Sequence, residues 1–310
     1  MSAATTPNIV FDRDVLNSRR DRYAPVAADH DFLLERVADD LVERLSIVTR
    51  SFPVAVNLGA YHGLLSRRIR ELDNVGLVID AGASPRLLEQ CEGPRVLVDE
   101  EILPFANGGL DLVVSGLSFQ FINDLPGCLI QIRQALRSDG LLLATLFGGA
   151  TLKELRHAWL VAESEVTGGA SPRVAPFADV RELGGLLQRA GFALPVVDSE
   201  ILTVTYSSPL ALMQELRAMG ASNALAGRHR KPVTRQLLAR ACEVYEELFA
   251  TPDGRIPATF EFITLTAWTP HESQPKPLRP GSAQHRLADA LGVKEFPAGE
   301  KPARKPDPDR

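Results

Sequence analysis

Cysteine is scarce. Cys91, Cys128 and Cys242 lie far apart, with no CxxC and no Cys/His cluster. That argues against a disulfide framework and against a zinc site of ordinary spacing, and three scattered thiols suit a reducing compartment. Long apolar runs are missing as well. The longest, Leu141–Phe147, is of strand length, against the roughly 20 residues that a membrane span requires, so no integral membrane segment is expected. There is no basic surplus either: the net charge of -5 gives no global field for a polyanion, and nucleic acid is not an expected partner. The first residues contain no apolar stretch of the secretory kind, and Asp12 and Asp14 speak against an acid-poor transit peptide. The expected location is the cytoplasm of a bacterial-type cell. None of the six histidines stands in the His-x-Asp/Glu spacing of a non-haem iron site, and no metal is assigned.

What is present is ordinary for a soluble chain: 45% hydrophobic and 24% charged residues, enough for one large domain or two small ones. Between Pro53 and Phe147 short apolar runs alternate with helical patterns. Strands are expected at Val54–Leu58, Val75–Asp80, Arg95–Val98, Leu110–Ser115 and Leu141–Phe147. All are near-continuously apolar, as parallel strands covered on both faces should be. Helices are expected at Leu64–Glu71, Pro85–Gln90 and Leu125–Arg137, the last closed by a Ser138-Asp139-Gly140 turn. Helices near Thr151–Val166 and Ala178–Ala190 follow, and then strands Pro195–Tyr206 and Ala258–Trp268 with alternating Thr and Phe. This order gives an α/β fold, a Rossmann-like seven-stranded sheet of the class I methyltransferase kind. A separate subdomain formed by the late strand pair is the alternative. The expected organisation is an N-terminal helical segment over 1–50, a methyltransferase-like domain over 51–269 with a helical insertion at about 208–256, and an extended tail over 270–310. That tail holds 8 of the 22 prolines.

The segment Asn57-Leu58-Gly59-Ala60-Tyr61-His62-Gly63 joins the first strand to a helix. Gly59 lets a ligand approach the backbone and Gly63 permits close packing at the helix start, whose free N–H groups can receive an anion. S-adenosylmethionine enzymes of this fold read acid-hydrophobe-Gly-x-Gly-x-Gly here. In this chain Asn57 replaces the acid and Tyr61 the middle glycine, so a strand-to-helix turn without a ligand is an equal reading. After the second strand, Asp80 and Gly82 compete for the ribose-binding position, and a structural role for Asp80 is the other reading. After the third, Asp99 fits the acid that accepts from the adenine amino group, with Glu100 beside it. Ser115 ends the fourth strand at the pocket border.

From Ser118 onward the chain becomes distinctive. Ser118-Phe-Gln-Phe-Ile-Asn123-Asp124-Leu125-Pro126, Phe147-Gly-Gly149-Ala-Thr151-Leu-Lys-Glu154-Leu-Arg156, Ala162-Glu163-Ser-Glu165 through Gly168-Gly169-Ala-Ser171-Pro172 and on to Pro176-Phe177, Leu216-Arg-Ala-Met219-Gly220-Ala-Ser222-Asn223, Pro257-Ala258-Thr259, His271-Glu272-Ser273-Gln274 and Gly281-Ser282-Ala283 resemble the complex I assembly factor 5 family. So do Phe11-Asp12-Arg13, Arg20-Asp21-Arg22 and Phe52-Pro53. This mitochondrial family is described as methyltransferase-like and as an arginine hydroxylase. The resemblance implies S-adenosylmethionine as cofactor, a complex I iron–sulfur subunit as protein partner, and an arginine near the quinone site as the modified residue.

Acids near the pocket, Glu163 and Glu165, are candidates for gripping a guanidinium, with Arg156 and Arg173 in the same matched stretches. For each of the four, a solvated helix face is the plainer reading. His62 is expected at the surface, Phe119 and Phe121 as lid or core aromatics, Trp159 and Trp268 as packing residues, and Asp111 as structural. Three functions stay open: a modifier of a complex I arginine, by hydroxylation or methylation; a non-catalytic assembly chaperone; and a small-molecule or carrier-protein O-methyltransferase.

Overall fold

The computed structural model describes residues 9–275, 286–294 and 299. It comprises two units, Met1–His271 and Glu272–Arg310. The second has one short described helix, Leu287–Leu291, ended by Gly292 at φ +63°. Most of the expected extended tail, including Gly281–Ala283, lies outside the described residues.

The first unit is built on seven strands: β1 (Phe52–Leu58), β2 (Val75–Gly82), β3 (Arg95–Leu97), β4 (Leu110–Gly116), β5 (Leu136–Phe147), β6 (Ala193–Tyr206) and β7 (Ile256–Trp268). They form one sheet in the order β3-β2-β1-β4-β5-β7-β6. Only β7 runs against its neighbours, β5 and β6. The late strand pair therefore completes this sheet and forms no separate subdomain. The chain order reverses between β1 and β4, and in open α/β sheets that switch point opens the crevice at the carboxyl ends of the strands.

Helices cover both faces. α1 (Arg13–Tyr23), α2 (Phe32–Ser46), α3 (Leu64–Ile69), α4 (Pro85–Leu88), α5 (Leu125–Ala135), α6 (Lys153–Thr167), α7 (Val180–Arg189), α8 (Pro209–Ala218) and α9 (Arg235–Phe249) follow in chain order. α2 is amphipathic: Leu33, Leu34, Val37, Ala38, Leu41 and Leu45 fall on its buried face, and each large side chain contributes about 1.5–3 kcal/mol of burial. That face packs in the larger core with α3, α6 and α9 through Leu65, Leu155 and Tyr245. On the other face Leu129, Ile132, Leu183 and Leu187 of α5 and α7 form the second core.

One expected element is corrected. Ser138-Asp139-Gly140 does not separate α5 from the strand, because β5 starts at Leu136, which pairs with Leu110. Asp139 turns the chain inside the strand at φ +66°. It is held there by Asp139 N–H to Thr269 O at 3.2 Å, by Thr269 N–H to Gly140 O at 2.8 Å, and by an ion pair with Arg50. A local turn signal lost to pairing with β7, which is distant in sequence.

α1 lies across the carboxyl edge of the sheet. Asp12 caps it, accepting from Val15 N at 3.2 Å. Phe11 bridges to Leu225, so the segment before α1 is tied to the insertion between β6 and β7.

Candidate cofactor cleft and substrate chamber

The loop after β1 turns through three left-handed residues: Gly59 (φ +77°), Tyr61 (φ +49°) and Gly63 (φ +80°). Its path is fixed by Gly59 N–H and Ala60 N–H, both donating to Ala81 O, at 2.7 and 3.0 Å. Gly59 has no room for a side chain, since a Cβ there would lie 2.2 Å from Cβ and Oγ of Ser118. Tyr61 accepts a conformation that costs a non-glycine residue on the order of 1 kcal/mol. Opposite it, after β4, Leu117 is also left-handed at φ +54°. The Tyr61 hydroxyl donates to Leu117 O at 2.6 Å and accepts from Arg20 Nη2 at 3.1 Å. Two strained backbones thus face each other across the β1/β4 crevice, joined by one phenol. Burial pushes the Tyr61 hydroxyl pKa up, so it stays a neutral donor.

The remaining expected residues separate into two groups. Gly82 and Glu100 line the same cleft as Gly59 and Tyr61. Ala60 is buried beneath it, and Gly63 packs on Cys91. Asn57, Asp80 and Ser115 face inward. Asn57 Nδ2 donates to Ser66 Oγ at 2.8 Å, Ser66 Oγ donates to Asp80, and Arg70 Nη2 meets Asp80 Oδ2 at 2.7 Å. Ser115 Oγ donates to Leu58 O at 2.7 Å. β2 runs without a bulge to Gly82, so Asp80 occupies its structural alternative. Among the neighbouring acids, Asp99 is half exposed and Glu100 is buried. It is Glu100 that reaches the cleft.

Three residues of α1 occupy this edge. Arg13 forms ion pairs with Asp99 at 3.0 Å, with Glu101 at 3.6 Å and, more closely, with buried Glu100. The Arg20 guanidinium stacks over Tyr61 at 4.9 Å and over Phe121 at 5.2 Å. Asp21 accepts from Ser84 Oγ at 2.6 Å. The cleft left between them is only about 10 Å³. The stretches Phe11–Arg13 and Arg20–Arg22 stand out in the sequence, but nothing in their composition says that they cover this cleft.

Arg20 and Tyr61 also border a second space of about 80 Å³ with Leu33, Phe121 and Phe147. The last three residues line in turn a chamber of about 350 Å³, walled by Phe11, Trp159, Phe177 and Phe260. His62, expected at the surface, is buried beside the second space, with Nε2 at 2.9 Å from Asp31 Oδ2. Burial, and then Arg67, lower its pKa. Burial, and then Glu35, raise that of Asp31.

Glu163 is likewise not a solvated residue. It is buried and accepts from Ser171 N at 2.7 Å, from Ser171 Oγ at 2.8 Å and from Arg173 Nε at 2.8 Å. Arg173 in turn stacks over Trp159 at 4.7 Å, so this carboxylate fixes one wall of the chamber. Burial alone raises the Glu163 pKa, but these donors outweigh it and the net shift is downward. Glu165 is exposed and pairs with Arg240 at 2.6 Å. Arg156 donates to the carbonyls of Gly149, Thr151 and Ala175. Phe119 is core and Phe121 lines the chamber; Trp159 packs in the core and also walls the chamber, and the Trp268 ring carries Arg50 at 5.4 Å. Asp111 accepts from Val54 N at 2.8 Å and pairs with Arg137. Among the described residues no group of three His, Cys, Asp or Glu side chains is placed to hold a metal ion. Also among them, no helix is long and apolar enough to cross a membrane.

Residues 54–144 match the methyltransferase domain family. The chain is 37% identical over 300 residues to the human mitochondrial arginine-hydroxylase NDUFAF5, covering 94% of this chain and 86% of that protein. With the Danio rerio protein of the same name it is 36% identical over 286 residues, covering 90% and 89%. It is also 35% identical over 264 residues to the malonyl-[acyl-carrier protein] O-methyltransferase of Halorhodospira halophila, covering 83% and 86%. Among solved structures, the YcgJ protein of Bacillus subtilis superposes with a TM-score of 0.53 at 13% identity, over 76% of this chain and 99% of that one. At that identity the likeness establishes the fold.

Proposed function

Because the chain belongs to the family of the arginine-hydroxylase NDUFAF5, we propose that it modifies an arginine of a respiratory complex I iron–sulfur subunit during assembly, by hydroxylation or methylation. S-adenosylmethionine would lie over Gly59–Gly63. The observation that carries this reading is that the resemblance runs through almost the whole chain, insertion and α1 included, and is not confined to the methyltransferase core.

The polar groups of the cleft suit the nucleoside end of that cofactor, although its present volume of about 10 Å³ must widen to admit it. Glu100 Oε1 is buried without a partner, beside Gly82 and Ser84, and can accept from an adenine amino group or a ribose hydroxyl. The Asp99 assignment thereby moves to Glu100. At the methionine end Tyr61 and Arg20 occupy the space, so binding requires the phenol to leave Leu117 and α1 to shift. For methylation the cofactor would supply a transferable methyl group on its sulfonium; hydroxylation would instead take one oxygen atom from dioxygen, with a two-electron donor reducing the other to water. The chain's own residues would hold the nucleoside and exclude water through Phe121 and Phe147. Glu163 is already paired with Arg173 and Asp31 with His62, so a substrate guanidinium would have to displace one of these partners to be gripped by a carboxylate here. Cytoplasmic location goes with this reading, supported by three unpaired thiols; burial pushes that of Cys91 up to about 12.

A second reading, a non-catalytic assembly chaperone, is favoured by the closure of the cleft to about 10 Å³. Two measurements decide. Calorimetry with S-adenosylmethionine reports whether the cleft opens. Mass spectrometry of complex I subunits from cells with and without the gene reports whether an arginine gains one oxygen or one methyl group. No binding together with no mass change refutes the enzyme in favour of the chaperone. Methylation of a malonyl thioester by the purified protein would instead favour the carrier-protein O-methyltransferase.

A further inference from the structure

The chamber adjoins a second, basic cavity. Arg173, Ser222, Asn223 and Val233 line both the chamber and an open cavity of about 890 Å³ between α1 and the segment 222–233. The outer cavity is strongly basic although the whole chain carries a charge of -5. Arg19, Arg22, Arg173, Arg228, Arg230 and Lys231 line it, against Asp12 and Asp14.

Two of these six cations are neutralised by ion pairs, Arg228 by Asp12 at 3.0 Å and Arg173 by Glu163. Arg19 donates to the carbonyls of Ser222 and Asn223, which orients it and leaves its charge. Burial, and then the neighbouring Arg228 and Arg22, lower its pKa. Arg22, Arg230 and Lys231 are exposed and form no ion pair with a described residue. Behind this mouth the walls become aromatic and aliphatic. At about 350 Å³ the chamber falls within the size range of small-molecule sites, roughly 300–1,000 Å³, and apolar walls of this kind favour an apolar guest over water.

We propose that the mouth and the chamber together form a binding site for an anionic amphiphile, a phosphate-headed molecule with one apolar tail. Its head is held by Arg19, Arg22, Arg230 and Lys231, and its tail enters past Ser222 between Phe121, Trp159 and Phe260. Guanidinium groups suit phosphate because their donors form a planar fork. The adjacency of the two spaces, which share Arg173, Ser222, Asn223 and Val233 as lining, favours this ligand over an acidic protein surface, which would use the mouth and leave the chamber empty. The site uses no residue of the cofactor cleft; it shares the wall of Phe121 with the reaction proposed above, and its test reads binding alone, so its failure is distinguishable from failure of that reaction.

The test is calorimetry on the full chain with dodecyl phosphate below its micellar concentration, beside inorganic phosphate and dodecyl maltoside. One-to-one binding of dodecyl phosphate is expected, with each of the other two at least about tenfold weaker, a loss of about 1.4 kcal/mol. The exposed triple variant Arg22→Ala/Arg230→Ala/Lys231→Ala should weaken dodecyl phosphate by at least about tenfold and flatten its salt dependence. Ser222→Trp, which narrows the passage, should abolish the advantage over inorganic phosphate while inorganic phosphate itself binds as before. Vesicles of phosphatidylcholine with lysophosphatidic acid, which has one tail per phosphate head, assign the source: competition with dodecyl phosphate identifies a membrane lipid, and no competition identifies a soluble phosphate ester. The proposal fails if dodecyl phosphate binds no tighter than inorganic phosphate, or if Ser222→Trp leaves its affinity intact. Binding of polyglutamate with dodecyl phosphate inert would replace it by an acidic protein partner.

Discussion

Replacing Tyr61 by glycine should open the cofactor cleft, and the size of the effect can be worked from its contacts. The phenol donates to Leu117 O and accepts from Arg20. Two hydrogen bonds at about 1 kcal/mol each make the closed arrangement about 2 kcal/mol more stable than an open one. A binding-competent state disfavoured by that amount lowers apparent affinity by roughly thirtyfold. Tyr61→Gly removes both bonds and the ring, and S-adenosylmethionine should then bind on the order of thirtyfold more tightly. The fold loses stability at the same time. A fully buried aromatic costs about 3–5 kcal/mol to truncate. Tyr61 is only partly buried, and glycine relieves about 1 kcal/mol of left-handed strain, so a net loss of about 2 kcal/mol is expected. For a chain of this size that lowers Tm by roughly 3–4 °C. Calorimetry at 25 °C measures the first effect and a thermal melt the second. Arg20→Ala, which removes one of the two bonds, should tighten binding by about fivefold. Wild type binding at low micromolar Kd with Tyr61→Gly no tighter would show that the phenol does not gate the cleft.

Asn57→Asp restores the acid common in this position of the fold, yet it should destabilise. Ser66 Oγ has one proton, which already goes to Asp80, and a second buried carboxylate on the same hydroxyl costs about 2 kcal/mol or more; a melting temperature equal to wild type would contradict this. Gly59→Ala should unfold more readily by over about 1 kcal/mol, because Ser118 stands 2.2 Å from the new Cβ. Adding Ser118→Gly should recover part of the loss in denaturant titrations. Glu163→Gln should cost about 2 kcal/mol at pH 7 by weakening the charge-assisted bonds from Arg173 and Ser171. The folded-state pKa of Glu163 lies below its ordinary value, so the wild-type advantage is complete above the unfolded value of about 4.3. It is lost as pH falls through the lower folded value, and a difference that grows on acidification would refute the assignment.

The strand alternation between Val54 and Phe147 determined the parallel sheet, because strands covered on both faces must be apolar throughout. The late β6/β7 pair, the insertion and the glycine turn after β1 were also legible, since period and turn chemistry are local properties. So was the unusual character of Tyr61, from the missing glycine alone. What the side chains do with their neighbours was not legible. Asn57 and Asp80 sit at the right chain positions for a ligand, yet they turn inward because Ser66 and Arg70 of the α3 region meet them there. His62 and Glu163 read as surface residues, and only packing supplies Asp31 and Arg173 as their partners. The coverage of the cleft by Arg13, Arg20 and Asp21 joins residues some 40 to 90 positions apart. The same holds for the basic mouth, where α1 meets the insertion. Charge and hydropathy patterns describe each segment separately. Which two segments share a wall is decided by the sheet order, which brings the carboxyl ends of the six parallel strands to one edge.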